Sequence, residues 1–206
     1  MAARIPILII GAMFLLAVSA GVARAHPHVW ILAEAVLTQT DGKVTGVRLD
    51  WSFDPFFSTV LYEDFDWNDD GRFDTEERRA MRDGAFAGLS AVGWFTDVRV
   101  DGEPWPVRAT DDFDVRISPD DGTVTYELTL AFDEPTDPVA TSVTLSLYDP
   151  EYYISLEFAE KAAPVRVVED APFSCVVTIG RDESTSLYYG AFNPPLARFD
   201  CAPARS

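Results

Sequence analysis

The chain has 206 residues, with 34 acidic side chains against 16 basic ones and a formal net charge of −18. That balance argues against nucleic acid and anionic membrane surfaces as partners, because basic residues carry affinity for both. Hydrophobic residues make up 48% and aromatics 13% of the chain, a composition that can bury a core and argues against disorder.

The first residues fall into three zones. Arg4 supplies a positive start, 5–18 is almost wholly apolar apart from breaks at Pro6 and Gly11, and Ala23-Arg24-Ala25 is a small-x-small cleavage site. The apolar run is shorter than the roughly 20 residues a bilayer span needs. These features predict a signal peptide over 1–25, cleavage after Ala25, export from the cytoplasm, and no membrane span in the processed chain. Removing 1–25 takes away Arg4 and Arg24 and no acid, which carries the net charge from −18 to −20. The remaining length of about 180 residues suits one domain, 26–206.

Processing would place His26 at the new terminus and His28 two residues on; they are the only histidines. A terminal histidine can chelate through its α-amine and imidazole together, and His28 can add a second ring. Such nitrogens suit Cu2+, Ni2+, Co2+ or Zn2+. Pro27 has no amide proton, so a site using that backbone nitrogen is excluded. Asp149 and Glu151 are candidates for a closing carboxylate. The alternative is that His-Pro-His is simply the polar start of the first strand.

Most of the chain beyond these histidines reads as strands. A β-rich segment at 29–38 leads to the turn signal Asp41-Gly42. Val47, Leu49, Trp51 and Phe53 then alternate with polar residues, the two-residue period of a half-buried strand. The pattern recurs at 98–107 around Asp101-Gly102 and at 115–132 around Asp121-Gly122. Val143, Leu145 and Leu147 mark another strand, and Cys175, Val177 and Ile179 a later one. Short, regularly spaced strands predict a mainly β, antiparallel sandwich-like domain.

One insertion, at about 54–90, breaks this period. Asp54-Pro55 fits an N-cap followed by proline at the first helical position. Phe56, Val60, Leu61 and Phe65 then lie at helical spacing. A second helix begins at Thr75-Glu76-Glu77 and carries Met81, Ala85, Phe86 and Leu89.

The twelve residues 66–77, which run from the loop between these helices into the start of the second, match an EF-hand loop. Calcium takes six to eight oxygen ligands, and the spacing supplies them from Asp66, Asn68 and Asp70, the Arg72 carbonyl, Asp74, and bidentate Glu77. Gly71 permits the sharp turn, and Phe73 would point into the helix pair. Trp67 is bulky for the second position, and Phe73 replaces the usual aliphatic residue at the eighth. No second such loop is present to pair with it, so the expected affinity is on the order of 10⁻⁵ to 10⁻³ M, with a structural role. The alternative is an acidic, solvated turn.

Cys175 and Cys201 are the only cysteines. After export the expectation is a disulfide, closing about 27 residues and contributing roughly 3 kcal/mol. It would fasten the C-terminal segment to the body.

Several of these motifs coincide with a known family. His26-Pro27-His28-Val29-Trp30, Trp51-Ser52-Phe53-Asp54-Pro55, the acidic loop ending Asp70-Gly71, and Tyr148-Asp149-Pro150-Glu151-Tyr152-Tyr153 resemble the bacterial family catalogued as domain of unknown function 1007. Its members are often labelled periplasmic components of an uncharacterised ABC-type transport system and are associated with nickel/cobalt-type exporters. The resemblance implies a periplasmic location and a membrane metal transporter as partner, and it carries over to His26, His28 and the acidic loop. A two-lobed solute receptor is usually longer and α/β, so the label implies an accessory protein. The residues show no hydroxyl or thiol nucleophile motif, and the expectation is a non-enzymatic metal-binding protein. The alternatives are an interaction module stabilised by calcium, and a copper enzyme using the terminal histidine.

Overall fold

The computed structural model describes residues 27–204. Two sheets pack over one core. The first has the strand order β5-β6-β2-β1-β8, with β9 also pairing to β1; the second has the order β10-β11-β7-β3-β4. Strands β1 (Val29–Thr40) and β2 (Lys43–Phe53) form a hairpin. Its turn residues Asp41 and Gly42 have φ of 52° and 79°, as the Asp-Gly signal requires. Strands β3 (Thr96–Val100) and β4 (Glu103–Pro104), then β5 (Val107–Ile117) and β6 (Val124–Thr136), form two more hairpins at the other Asp-Gly pairs. The remaining strands are β7 (Val143–Leu147), β8 (Ile154–Phe158), β9 (Val165–Val167), β10 (Phe173–Arg181) and β11 (Pro195–Pro203).

Alternation sets which residues enter the core. Val47, Leu49 and Trp51 on β2 and Val124, Tyr126, Leu128 and Leu130 on β6 are buried, and they meet Val98, Leu145 and Phe199 from the second sheet in one continuous cluster. Gly46 stands where the β2–β6 register shifts. A Cβ there would collide with the Leu130 carbonyl oxygen, so the close strand approach demands glycine.

The sandwich is mainly antiparallel, but β1 pairs in parallel with both β8 and β9. Strands β8, β9 and β11 carry weak periodicity in the sequence. The disulfide joins Cys175 to Cys201, which face each other across the β10–β11 ladder. The C-terminal segment is therefore a strand of the second sheet, between β10 and β7, and not merely a tethered tail.

The insertion is helical as expected, but its second half is irregular. Helix α1 is Pro55–Phe65 and α2 is Thr75–Ala80. From α2 the chain continues as a π-helical stretch, Met81–Phe86, and then a 3₁₀ stretch, Ala87–Phe95. The 3₁₀ stretch is kinked at Val92, Gly93 and Trp94. The buried face of α1 is Ser58 and Leu61, flanked by Phe57, Tyr62 and Phe65, whereas Phe56 is exposed.

Candidate functional site

Two places gather the candidate residues. The first is the end of the sandwich where β1 begins. Parallel pairing sets Val29 beside Ile154 and thereby draws His28 to Tyr153. The His28 N–H donates to the Tyr153 carbonyl at 2.8 Å, and the two rings lie 4.7 Å apart. The Trp30 N–H donates to Asp54 Oδ2 at 3.0 Å, while Asp54 Oδ1 accepts from the N–H groups of Phe56 and Phe57. Asp54 is thus the helix cap that its position before Pro55 announces, and it also anchors β1. Asp149 is 6% exposed. Its carboxylate accepts from the N–H groups of Glu151, Tyr153 and Ile154, so it is committed to shaping its own turn. Glu151 stands exposed on that turn. The His-Pro-His, Trp-Ser-Phe-Asp-Pro and Tyr-Asp-Pro motifs, distant in sequence, therefore meet at one end of the fold. That convergence was not visible in the sequence, because it depends on the parallel β1–β8 pairing. His26 and the segment 1–25 lie outside the described residues.

The second place is the loop between α1 and α2. Asp66 accepts from the N–H groups of Asp70 and Gly71, Asn68 from that of Asp70, and Asp70 from that of Arg72. Gly71 has φ of 73°, the left-handed turn that glycine adopts without strain. Asp74 caps α2 by accepting from the N–H groups of Glu76 and Glu77. Glu77 is 1% exposed and is turned into the loop. Its Oε1 accepts from the Trp67 N–H at 2.9 Å, and its Oε2 from the Asp74 N–H at 2.7 Å. The cap and Glu77 together form a capping box. Phe73 is buried and stacks on Tyr62 at 5.1 Å, as its position in the loop predicts.

The loop is wired to the sheets. The Tyr62 hydroxyl donates to the Gly122 carbonyl, and burial together with the nearby Asp66 charge raises its pKa. Ser58 Oγ accepts from the Val124 N–H, and Arg78 donates to the Phe73 carbonyl and pairs with Asp114 on β5. Among the described residues, no three His, Cys, Asp or Glu side chains converge at metal-binding distance. The loop carboxylates face their own backbone N–H groups. Each carboxylate oxygen carries two lone pairs, so those that accept a single N–H keep capacity for a cation, whereas Asp74 Oδ1, which accepts two, leaves only its Oδ2 for one.

Among the described residues no helix is long and apolar enough to cross a membrane. No curated protein matches the chain. Among solved structures, acetylcholine-binding protein type 1 of Biomphalaria glabrata is 16% identical, with 98% of this chain and 100% of that one covered and a TM-score of 0.41, a likeness too slight to bear on function. The family described as "Protein of unknown function (DUF1007)" matches residues 11–189, a range that includes the histidine, acidic-loop and Tyr-Asp-Pro motifs. The chain belongs to that family.

Proposed function

We propose that the protein is an exported, metal-binding accessory of a divalent-metal transport or homeostasis system, and that calcium in the 66–77 loop holds its helix pair. The observation that carries the calcium reading is Glu77, a carboxylate at the twelfth loop position that is buried and turned inward. Each of its oxygens accepts one backbone N–H and keeps a second lone pair that a cation can use. Asp66, Asn68, Asp70, Asp74 and Glu77, with the Arg72 carbonyl, would hold the ion. Calcium would supply positive charge between α1 and α2, and it would join the two helices through oxygen ligands.

The residues around the loop transmit that constraint. Phe73 and Tyr62 lock the loop to α1, and Arg78 ties it to β5. Calcium would therefore stabilise the helical insertion against the sheets. In this reading His26 and His28 are the transition-metal ligands, and a membrane metal transporter is the partner. A second reading, a calcium-stabilised interaction module with no transition metal, is favoured by Asp149. Its carboxylate is buried and already accepts three backbone N–H bonds, two of them at Oδ2, so it has less capacity left to close a histidine site than the singly bonded oxygens of the 66–77 loop.

Metal analysis of the processed protein, purified with a free N-terminus, tests both readings. About one calcium per chain together with bound copper, nickel, cobalt or zinc supports the first. Calcium alone supports the second. Absence of calcium at millimolar supply rejects the loop as a site.

A further inference from the structure

Leu89 and Phe95 of the 81–95 segment border a half-open apolar pocket of about 110 Å³, whose other walls include Ile31 and Ile154 from adjacent strands, Leu61 from α1, and the paired residues Trp51 and Tyr126. Its lining is carbon. A water occupies about 30 Å³ of liquid, and an apolar cavity of about 150 Å³ stays dry and takes benzene. At about 110 Å³ the space is smaller than that benchmark, so a single ring enters only if the aromatic lining gives, and it offers water no partners.

Two residues that wall it, Trp51 and Tyr126, and their neighbour Trp94 carry unsatisfied donors, none of which opens onto the space as it stands. Trp51 Nε1, Tyr126 OH and Trp94 Nε1 are buried without a hydrogen-bond partner. Trp51 and Tyr126 are 1% and 4% exposed. All three side chains belong to one aromatic cluster: Phe86 packs against Trp51, Trp94 and Phe113, and Phe113 packs against Tyr126. Buried donors without acceptors are rare, and each carries a free-energy cost that an acceptor would relieve.

The backbone covering this cluster is the most irregular of the described helical segments. The π-helical stretch ends at Phe86, and Gly93, Trp94 and Phe95 all have left-handed φ, at 60°, 50° and 53°. Consecutive left-handed non-glycine residues are strained, and such strain and π-helical turns concentrate at functional sites. Cavity, unsatisfied donors and strained cover therefore occur together, under the end where the sequence motifs converge.

We propose that this cavity is a binding site for a small, uncharged, ring-sized molecule that is mainly apolar and carries one acceptor oxygen. The 81–95 segment is its cover. The apolar wall takes the ring, and a shift of the aromatic side chains brings Trp51 Nε1–H or Tyr126 O–H to the acceptor. The inference is independent of either metal site.

Phenol and toluene, matched in heavy atoms, test it on the processed full-length chain. Binding is read from the indole N–H and methyl resonances in a titration. In a cavity with no available donor the hydroxyl is a penalty, and toluene binds better. Here phenol should bind at least threefold tighter than toluene and shift the Trp51 indole N–H. Trp51→Phe should remove that shift and reduce the phenol preference, and Tyr126→Phe should reduce the preference independently. Ile154→Phe, which fills the cavity, should abolish binding of both. No saturable shift with either ring would overturn the site. Tighter binding of toluene than phenol to the wild-type chain would overturn the acceptor-bearing ligand class.

Discussion

Trp30 and Asp54 hold each other through a reciprocal pair of hydrogen bonds. The Trp30 N–H donates to Asp54 Oδ2 at 3.0 Å, and the Asp54 N–H donates to the Trp30 carbonyl at 3.0 Å. The same carboxylate caps α1, so one side chain couples the first strand to the helical insertion. Replacing Asp54 with Ala should cost about 2 kcal/mol, the upper end for loss of an N-cap, and Asn should cost less than half of that. Urea unfolding measures both. Equal stability of wild type and Asp54→Ala would remove this coupling from the account.

Asp50 gives a prediction with a defined sign. Burial, then the facing Glu127, then Glu34 raise its pKa above the ordinary 3.8, against the opposing pull of Arg48 and Arg116. Below the unfolded value the carboxyl is neutral in both states. As pH rises through the raised folded value, charge is forced into an unfavourable place and stability is lost. Asp50→Asn should therefore stabilise the fold at neutral pH, with the gain vanishing near pH 3. A loss of stability at neutral pH would show that the flanking arginines dominate.

The disulfide ties two neighbouring strands of the second sheet. Replacing both cysteines with serine should lower unfolding free energy by roughly 3 kcal/mol if loop entropy governs its contribution. A change below about 1 kcal/mol would mean that the β10–β11 ladder already fixes this region in the unfolded ensemble or needs no covalent tie.

The proposed transition-metal site requires that processing leave the α-amine of His26 free to act with its imidazole. Adding one residue before His26 would convert that amine to an amide while keeping both imidazoles. Affinity for copper, nickel or zinc should fall sharply, and it should also fall as pH drops through the imidazole range. His28→Ala should weaken binding separately. Equal affinity in the processed chain, the extended chain and His28→Ala would leave no transition-metal site at this end.

Much of the scaffold is legible in local pattern. Alternation around Leu49 and Leu128, the Asp-Gly turns, the Asp54 cap and the isolated cysteine pair each depend on neighbours in sequence or on redox context. Local pattern fails where the tertiary structure decides. Strands β8 and β9 pair with β1 across more than a hundred residues and carry little periodicity of their own. The helical period after Met81 suggests a continuous helix, yet the chain becomes π-helical and then kinks at Gly93. The unsatisfied donors of Trp51 and Tyr126 have no sequence signature, since an inward-facing aromatic on a strand reads only as core. Asp149 reads in sequence as an available ligand, because its three backbone bonds form only when the turn before β8 is made.

Calcium calorimetry on the wild-type chain and Glu77→Gln decides whether the 66–77 loop holds calcium. Wild type should bind about one calcium, with a dissociation constant on the order of 10⁻⁵ to 10⁻³ M. Glu77→Gln removes a charged bidentate ligand and should weaken binding at least tenfold, while the uncharged side chain keeps an oxygen for the loop. Indistinguishable calcium heats in the two proteins, or none in wild type at millimolar calcium, would contradict the account.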